Sequence, residues 1–214
     1  MNMKRREFSL AAAGAALASS TLLTSLTNAQ TAKPVAGKDY HILDRRAPVE
    51  APAGSVEVVE FFSYMCSVCN AFEPTFNAWA KSSPQGVVVR RVPVPFLPNF
   101  ESMQRLYFAL DAMSLVDKLH AAVFAAVHVE HRKLSDAATI ADWVAAQGVD
   151  RSKFMGQFNS FTTATKTTRA KQLSNIYAID GVPLLGVAGR FLTAGSAKGL
   201  QVVEALVADI KAGR

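Results

Sequence analysis

The chain has 214 residues, half of them hydrophobic and 19% charged, with a formal net charge of +6. That balance excludes a disordered chain and a dedicated nucleic-acid binder, and the length suffices for a packed core without disulfide staples. Only two cysteines are present, so at most one intrachain disulfide can form.

Residues 1–29 have the order of a secretory signal peptide: Lys4, Arg5 and Arg6, a soft apolar run from Phe8 to Leu26, then Thr27-Asn28-Ala29. An uncleaved anchor is the competing reading, but the run is dominated by Ala, Gly, Ser and Thr and is weakly hydrophobic. The string Lys4-Arg5-Arg6-Glu7-Phe8-Ser9-Leu10 also fits a twin-arginine signal, and either export route leads outside the cytoplasm. Three of the 23 basic and one of the 17 acidic residues fall in this segment, so the mature chain carries +4. Residues 30–38, rich in Ala, Lys, Pro and Gly, read as a flexible leader.

Tyr40 to Leu43 predicts a short edge strand. Val56-Glu57-Val58-Val59-Glu60-Phe61-Phe62, bounded by Pro52 and Gly54, predicts a strand buried on both faces. A turn at Ser63 to Met65 leads into a helix that opens at Cys66, with Val68, Phe72, Phe76 and Trp79 at helical spacing. Pro74 predicts a kink within it. Gly86 closes that unit, Val87 to Val92 predicts a second buried strand, and Pro93, Pro95 and Pro98 stop regular structure. From about Ser102 to Ile179 the periodicity is helical throughout, with one helix starting at Ser135-Asp136 and ending at Gly148. Two strands, at Val182–Val187 and Arg190–Thr193 around the turn Ala188-Gly189, precede a last helix from Leu200 to Ile210.

The two cysteines, in Cys66-Ser67-Val68-Cys69, therefore fall at a strand-to-helix junction. A disulfide so short in sequence removes little entropy from the unfolded chain, so it makes a poor staple and a reasonable reversible pair. A redox cysteine needs surroundings that stabilise thiolate, and the first turn of a helix offers unpaired N–H groups and the positive end of the dipole. The three-residue offset puts Cys69 on the same face, within bonding reach. Cys66 is expected to be the attacked sulfur and Cys69 its buried partner. Glu60 is out of place in an apolar strand: it faces solvent from an edge, or it is buried with a raised pKa or a cation, for which Arg91 is the candidate.

The run from Val58 to Cys69, together with Asn159-Ser160-Phe161 and Gly181-Val182-Pro183, resembles the DsbA family of periplasmic thiol:disulfide interchange proteins. The resemblance implies an α/β fold, thioredoxin-like with an inserted all-helical domain. The expected division is 39–98 and 165–214 for the thioredoxin-like parts and 99–164 for the insertion. It implies a cis proline at Pro183 beside the cysteines, whereas the plain sequence reading is a strand-start proline in trans. It implies further that the Val182 backbone pairs with an extended substrate, and that Glu60 relays protons beneath Cys69. No cofactor or metal is expected beyond the Cys66-Cys69 disulfide itself. The implied partners are exported proteins with free thiols and a DsbB-type membrane reoxidant, with the protein acting as a monomer.

One departure matters. Well-known members carry Pro-His between the cysteines, and Ser67-Val68 offers neither that charge nor a ring donor at the second place, so a less oxidising disulfide is expected. Among the remaining residues, Tyr64 and Met65 in the turn are the candidates for an apolar substrate rim, while Phe61 and Phe62 belong to the core. His128, Glu130 and His131 read as polar residues at a helix end rather than a metal cluster, and Lys166, Arg169 and Lys171 as a solvated helix face. Two other functions use the same pair: a reductase or isomerase kept reduced by a membrane donor, and a copper or zinc carrier with thiolate ligands. The residues before Tyr40 are too few for the dimerisation domain of exported isomerases, and two thiols alone do not close a metal site.

Overall fold

A computed structural model describes residues 33–95 and 100–214. The expected signal peptide at 1–29, the first residues of the leader and Pro98 lie outside the described residues. Among the described residues there is one five-stranded sheet and seven helices. In chain order they are β1 (His41–Ile42), β2 (Val56–Phe62), α1 (Ser67–Lys81), β3 (Val87–Pro93), α2 (Glu101–Ala112), α3 (Val116–His128), α4 (Ala137–Ala146), α5 (Arg151–Phe158), α6 (Phe161–Ile176), β4 (Leu184–Val187), β5 (Phe191–Ala194) and α7 (Ala197–Lys211). None of these helices is long and apolar enough to cross a membrane.

The sheet order is β1-β5-β4-β2-β3, with β2 parallel to β3 and antiparallel to β4. β2 is buried at all seven positions, as its β-branched and aromatic run requires. Its even-numbered Val56 and Val58 pack with Phe72, Phe76, Leu200 and Val203 of α1 and α7, and its odd-numbered Val59 and Phe61 pack with Tyr177 and the helical block. β3 is not the second fully buried strand that its valines suggest. It is the outermost strand of the sheet, and its first five residues are only half-buried. Edge position also explains why a proline can end it, since Pro93 has no ladder bond to donate outward.

Residues 35–40 are less loose than a leader. Gly37 N–H donates to the Tyr40 carbonyl, the Val35 N–H to the Asp39 carboxylate, and Thr193 Oγ1 to the Asp39 carbonyl. β4 and β5 join through Ala188, Gly189 and Arg190, the first two at positive φ (52° and 65°), and the Arg190 N–H donates to the Val187 carbonyl at 2.9 Å to close the turn. α1 runs as one helix through Pro74. α4 starts at Asp136, whose carboxylate accepts from the Ala138 and Thr139 N–H groups in a reciprocal capping box. The helical block between β3 and β4 is α2 to α6, and α6 continues through residue 164, where the sequence suggests a boundary.

Candidate active site

β2 delivers Ser63, Tyr64 and Met65 into a tight turn, and α1 begins at once. Cys66 is the N-cap of α1 rather than its first helical residue: its backbone is extended, and its sulfur accepts the Cys69 N–H at 3.3 Å. The sulfur thus stands where a Ser or Asp oxygen ordinarily caps a helix, among donors with no intrahelical partner. Its own proton goes to the Val182 carbonyl at 3.4 Å, and the Val182-Pro183 peptide bond is cis. Both cysteines are free thiols, Cys66 half-buried and Cys69 only 1% exposed. Burial pushes the Cys69 thiol well above its ordinary value, with the sulfur of Cys66 and the charge of Glu60 adding to the effect.

The Pro183 loop is held against this turn by close packing. The Gly195 N–H donates to the Pro183 carbonyl at 2.9 Å, and a Cβ on Gly195 would come within 2.5 Å of the proline ring. Among the described residues nothing accepts the Val182 N–H, which leaves an amide donor beside the half-exposed sulfur. Met65 is 40% exposed and lines a groove of about 340 Å³ with Phe100, Met103, Val127 and Leu134, rimmed by His131, Arg132 and Lys133.

Tyr64 is not part of a rim. It is 1% exposed, its ring packs on Phe62 and Phe124, and its hydroxyl lies 2.7 Å from Nδ1 of His120. The turn is so tight that one of its two large side chains must point inward, and the one with a waiting hydrogen-bond partner does so. Its carbonyl accepts from His128 Nε2 at 2.8 Å, so His128 is half-buried and engaged rather than solvated. His131 is exposed, and no cluster of three metal-ligating side chains forms among the described residues.

Glu60 is buried, 1% exposed, and Arg91 Nε donates to it at 3.1 Å. The same guanidinium reaches Glu73 of α1 with Nη2 at 3.0 Å and lies over the Phe76 ring. One cation therefore serves two carboxylates, and burial raises the Glu60 pKa from 4.5 to about 8, against the pull of Arg91 and with the help of Glu73. Glu73 escaped the sequence reading, although its position four residues after Cys69 places it on the same helix face. His120 escaped too; its only signal is a polar residue beside Leu119 in an otherwise apolar stripe. Lys166 pairs with Asp111 at 2.6 Å on the surface, as a solvated face allows.

A cysteine pair at the N-terminus of a helix, set against a cis-proline loop and backed by a buried acid, defines a thiol:disulfide oxidoreductase of the thioredoxin fold. Comparison with known proteins narrows this. Residues 57–211 match the DSBA-like thioredoxin domain family. The thiol:disulfide interchange protein DsbA of Bordetella parapertussis is 40% identical over 211 residues, covering 96% of this chain and 98% of the relative, and that of Pseudomonas syringae pv. tomato is 39% identical over 186. The crystal structure of Pseudomonas aeruginosa DsbA superposes with a TM-score of 0.80 at 33% identity, covering 84% of this chain and 96% of the other. The chain belongs to the DsbA family.

Proposed function

We propose that this protein introduces disulfides into exported proteins in the periplasm, with Cys66 as the attacked sulfur and Cys69 as the leaving one. The observation that carries the proposal is the asymmetry of the pair: one sulfur half-exposed at a helix N-cap and against a backbone carbonyl, the other sealed. In the oxidised enzyme a substrate thiolate attacks Cys66 Sγ, the Cys66–Cys69 bond breaks, and Cys69 departs with the electron pair and takes a proton from Glu60. The substrate's second thiolate then attacks its own sulfur in the mixed disulfide and releases Cys66. The substrate has lost two electrons and the enzyme has gained them. No cofactor enters, because the electrons pass through the cysteine pair alone. Val182, whose amide is unpaired, receives an extended substrate segment beside Pro183, and Met65 receives an apolar side chain.

On this proposal the signal at 1–29, of twin-arginine type, is cleaved on export, residues 39–98 and 165–214 form the redox part around the insertion at 99–164, and the monomer is reoxidised by a DsbB-type membrane protein. Refolding of a reduced, disulfide-containing protein tests it: wild type should restore activity to the substrate, and Cys66→Ser and Cys69→Ser should fall to the uncatalysed rate. Either variant refolding at the wild-type rate would end the proposal. The Cys66-Cys69 pair should be mostly oxidised in cells; a reduced pair would favour the reductase reading. Val68, 59% exposed between the cysteines, sets the potential: Val68→His should raise it by about 30 mV, tenfold in the equilibrium with glutathione.

A further inference from the structure

Beyond Glu60, the polar groups behind the cysteines form a chain that ends in the helical block. Arg91 holds Glu60 Oε2 with Nε and Glu73 Oε1 with Nη2, which leaves Glu73 Oε2 buried with no hydrogen-bond partner. The nearest complementary atom is Nε2 of His120 on α3, at 3.3 Å, equally buried and equally without a hydrogen-bond partner, since the two approach off the line of a good bond. Each is the natural partner of the other, because a buried polar atom left without a hydrogen bond loses its hydration with nothing to replace it. His120 is 4% exposed, and burial lowers its pKa, so its ring is neutral and only one nitrogen carries a proton.

Which nitrogen is decided by Tyr64. The hydroxyl, 2.7 Å from Nδ1, can donate there, and this places the ring proton on Nε2, facing Glu73. The opposite tautomer would aim a lone pair at a carboxylate. The other titratable groups around the ring are Tyr107 of α2, whose ring lies 5.9 Å away, and Lys81 and Asp117, which with Arg91 and Asn77 line a cavity of about 50 Å³ beside the pair. Burial raises the Tyr107 pKa far above neutrality, so it stays a neutral phenol.

We infer that His120 is a proton-positioning residue: its Nε2–H, oriented by Tyr64, keeps the negative charge of the buried pair on Glu73 and so leaves the pair's proton on Glu60, next to the thiol that needs it. Arg91 donates to one oxygen of Glu73 and His120 Nε2 lies 3.3 Å from the other, whereas among the described residues Glu60 has the single Arg91 donor and no such neighbour. Remove the histidine donor and Glu73 becomes the better proton acceptor, so Glu60 ionises and has nothing to give Cys69. This inference rests on the reading of Glu60 as proton donor to Cys69. That reading has its own control: if Glu60→Gln exchanges disulfides with the wild-type pH profile, it is the Glu60 role that fails.

The experiment measures the rate at which the oxidised protein is reduced by dithiothreitol from pH 5 to 9, together with infrared detection of the protonated Glu60 carboxyl. Three single variants are compared with wild type. His120→Leu removes the donor, His120→Gln keeps an amide donor in its place, and Tyr64→Phe frees the tautomer without touching the carboxylates. His120→Leu should move the Glu60-governed limb of the profile about one unit toward acid, so that its rate falls about twofold below wild type at pH 7 and about tenfold at pH 9. Tyr64→Phe should move the same limb the same way by less, and His120→Gln should keep the wild-type profile. Adding Glu73→Gln to His120→Leu should restore it, because Glu73 can then no longer take the proton. A wild-type profile in folded His120→Leu and Tyr64→Phe would overturn the inference, as would His120→Gln behaving like His120→Leu. If His120→Leu does not fold, Tyr64→Phe decides alone.

Discussion

Glu57 and Glu60 stand three residues apart on β2, each 1% exposed and each paired with an arginine of β3, yet they face opposite sides of the sheet and meet different company. Glu57 takes both arms of Arg90, at 3.2 and 3.0 Å, and the Glu50 backbone N–H at 3.0 Å, and Glu50 adds its own carboxylate to the outer side of Arg90. Glu60 takes a single arm of Arg91, whose other arm belongs to Glu73. Equal burial therefore leaves a carboxylate with three donors on the α6 side and, on the α1 side, a carboxyl with a single donor whose pKa burial raises. Only the under-supplied one lies by the cysteines.

The comparison can be broken most forcefully at Glu57. Glu57→Ala leaves Arg90 without its main partner and should cost about 3–5 kcal/mol in chemical denaturation, while the exchange rate of the folded fraction stays as in wild type. A large change in that rate would mean that the two sites are not separate. Glu60→Gln should act in the opposite sense on stability. Because the folded-state pKa of Glu60 is raised to about 8, the wild type loses stability as pH climbs from about 5 to 8, the folded form holding a proton that the unfolded form gives up. Glu60→Gln is free of that loss. It should match wild type near pH 4 and exceed it by about 4 kcal/mol at pH 8, in denaturation followed at several pH values, while slowing disulfide exchange. No difference in the pH dependence would show that Glu60 is already ionised in the folded protein. The smallest effect belongs to Glu50→Ala. Its side chain is 61% exposed, so the pair with Arg90 should be worth no more than about 0.5 kcal/mol.

The sequence made one of these glutamates conspicuous and passed over the other, although both interrupt the same apolar run. Glu60 drew notice as a carboxylate in an apolar strand and again through a family likeness, but nothing in local pattern separates it from Glu57, since donor count is a property of β3, α1 and the 47–50 segment together. The fold was readable wherever periodicity is strong: the strand before Cys66, the helices from 101 to 176, and the hairpin around Ala188-Gly189. The rank of β3 within the sheet was not, because Val87 to Val92 would read the same in a central strand, and only the final strand order puts it outside. Tyr64 was misplaced for a related reason. A turn residue is usually exposed, and the group that draws it inward, His120, lies 56 residues away.

Two histidines of α3 grip one residue of the redox turn, His120 by the Tyr64 hydroxyl and His128 by the Tyr64 carbonyl. The helical block is thus a buttress as well as a wall, and the motif is not portable. Grafted onto a bare thioredoxin scaffold, Cys-Ser-Val-Cys would bring its sulfurs but leave behind the side chains that fix the bend before them and the charge beneath them. A chimera meant to carry this chemistry would have to import α3 as well.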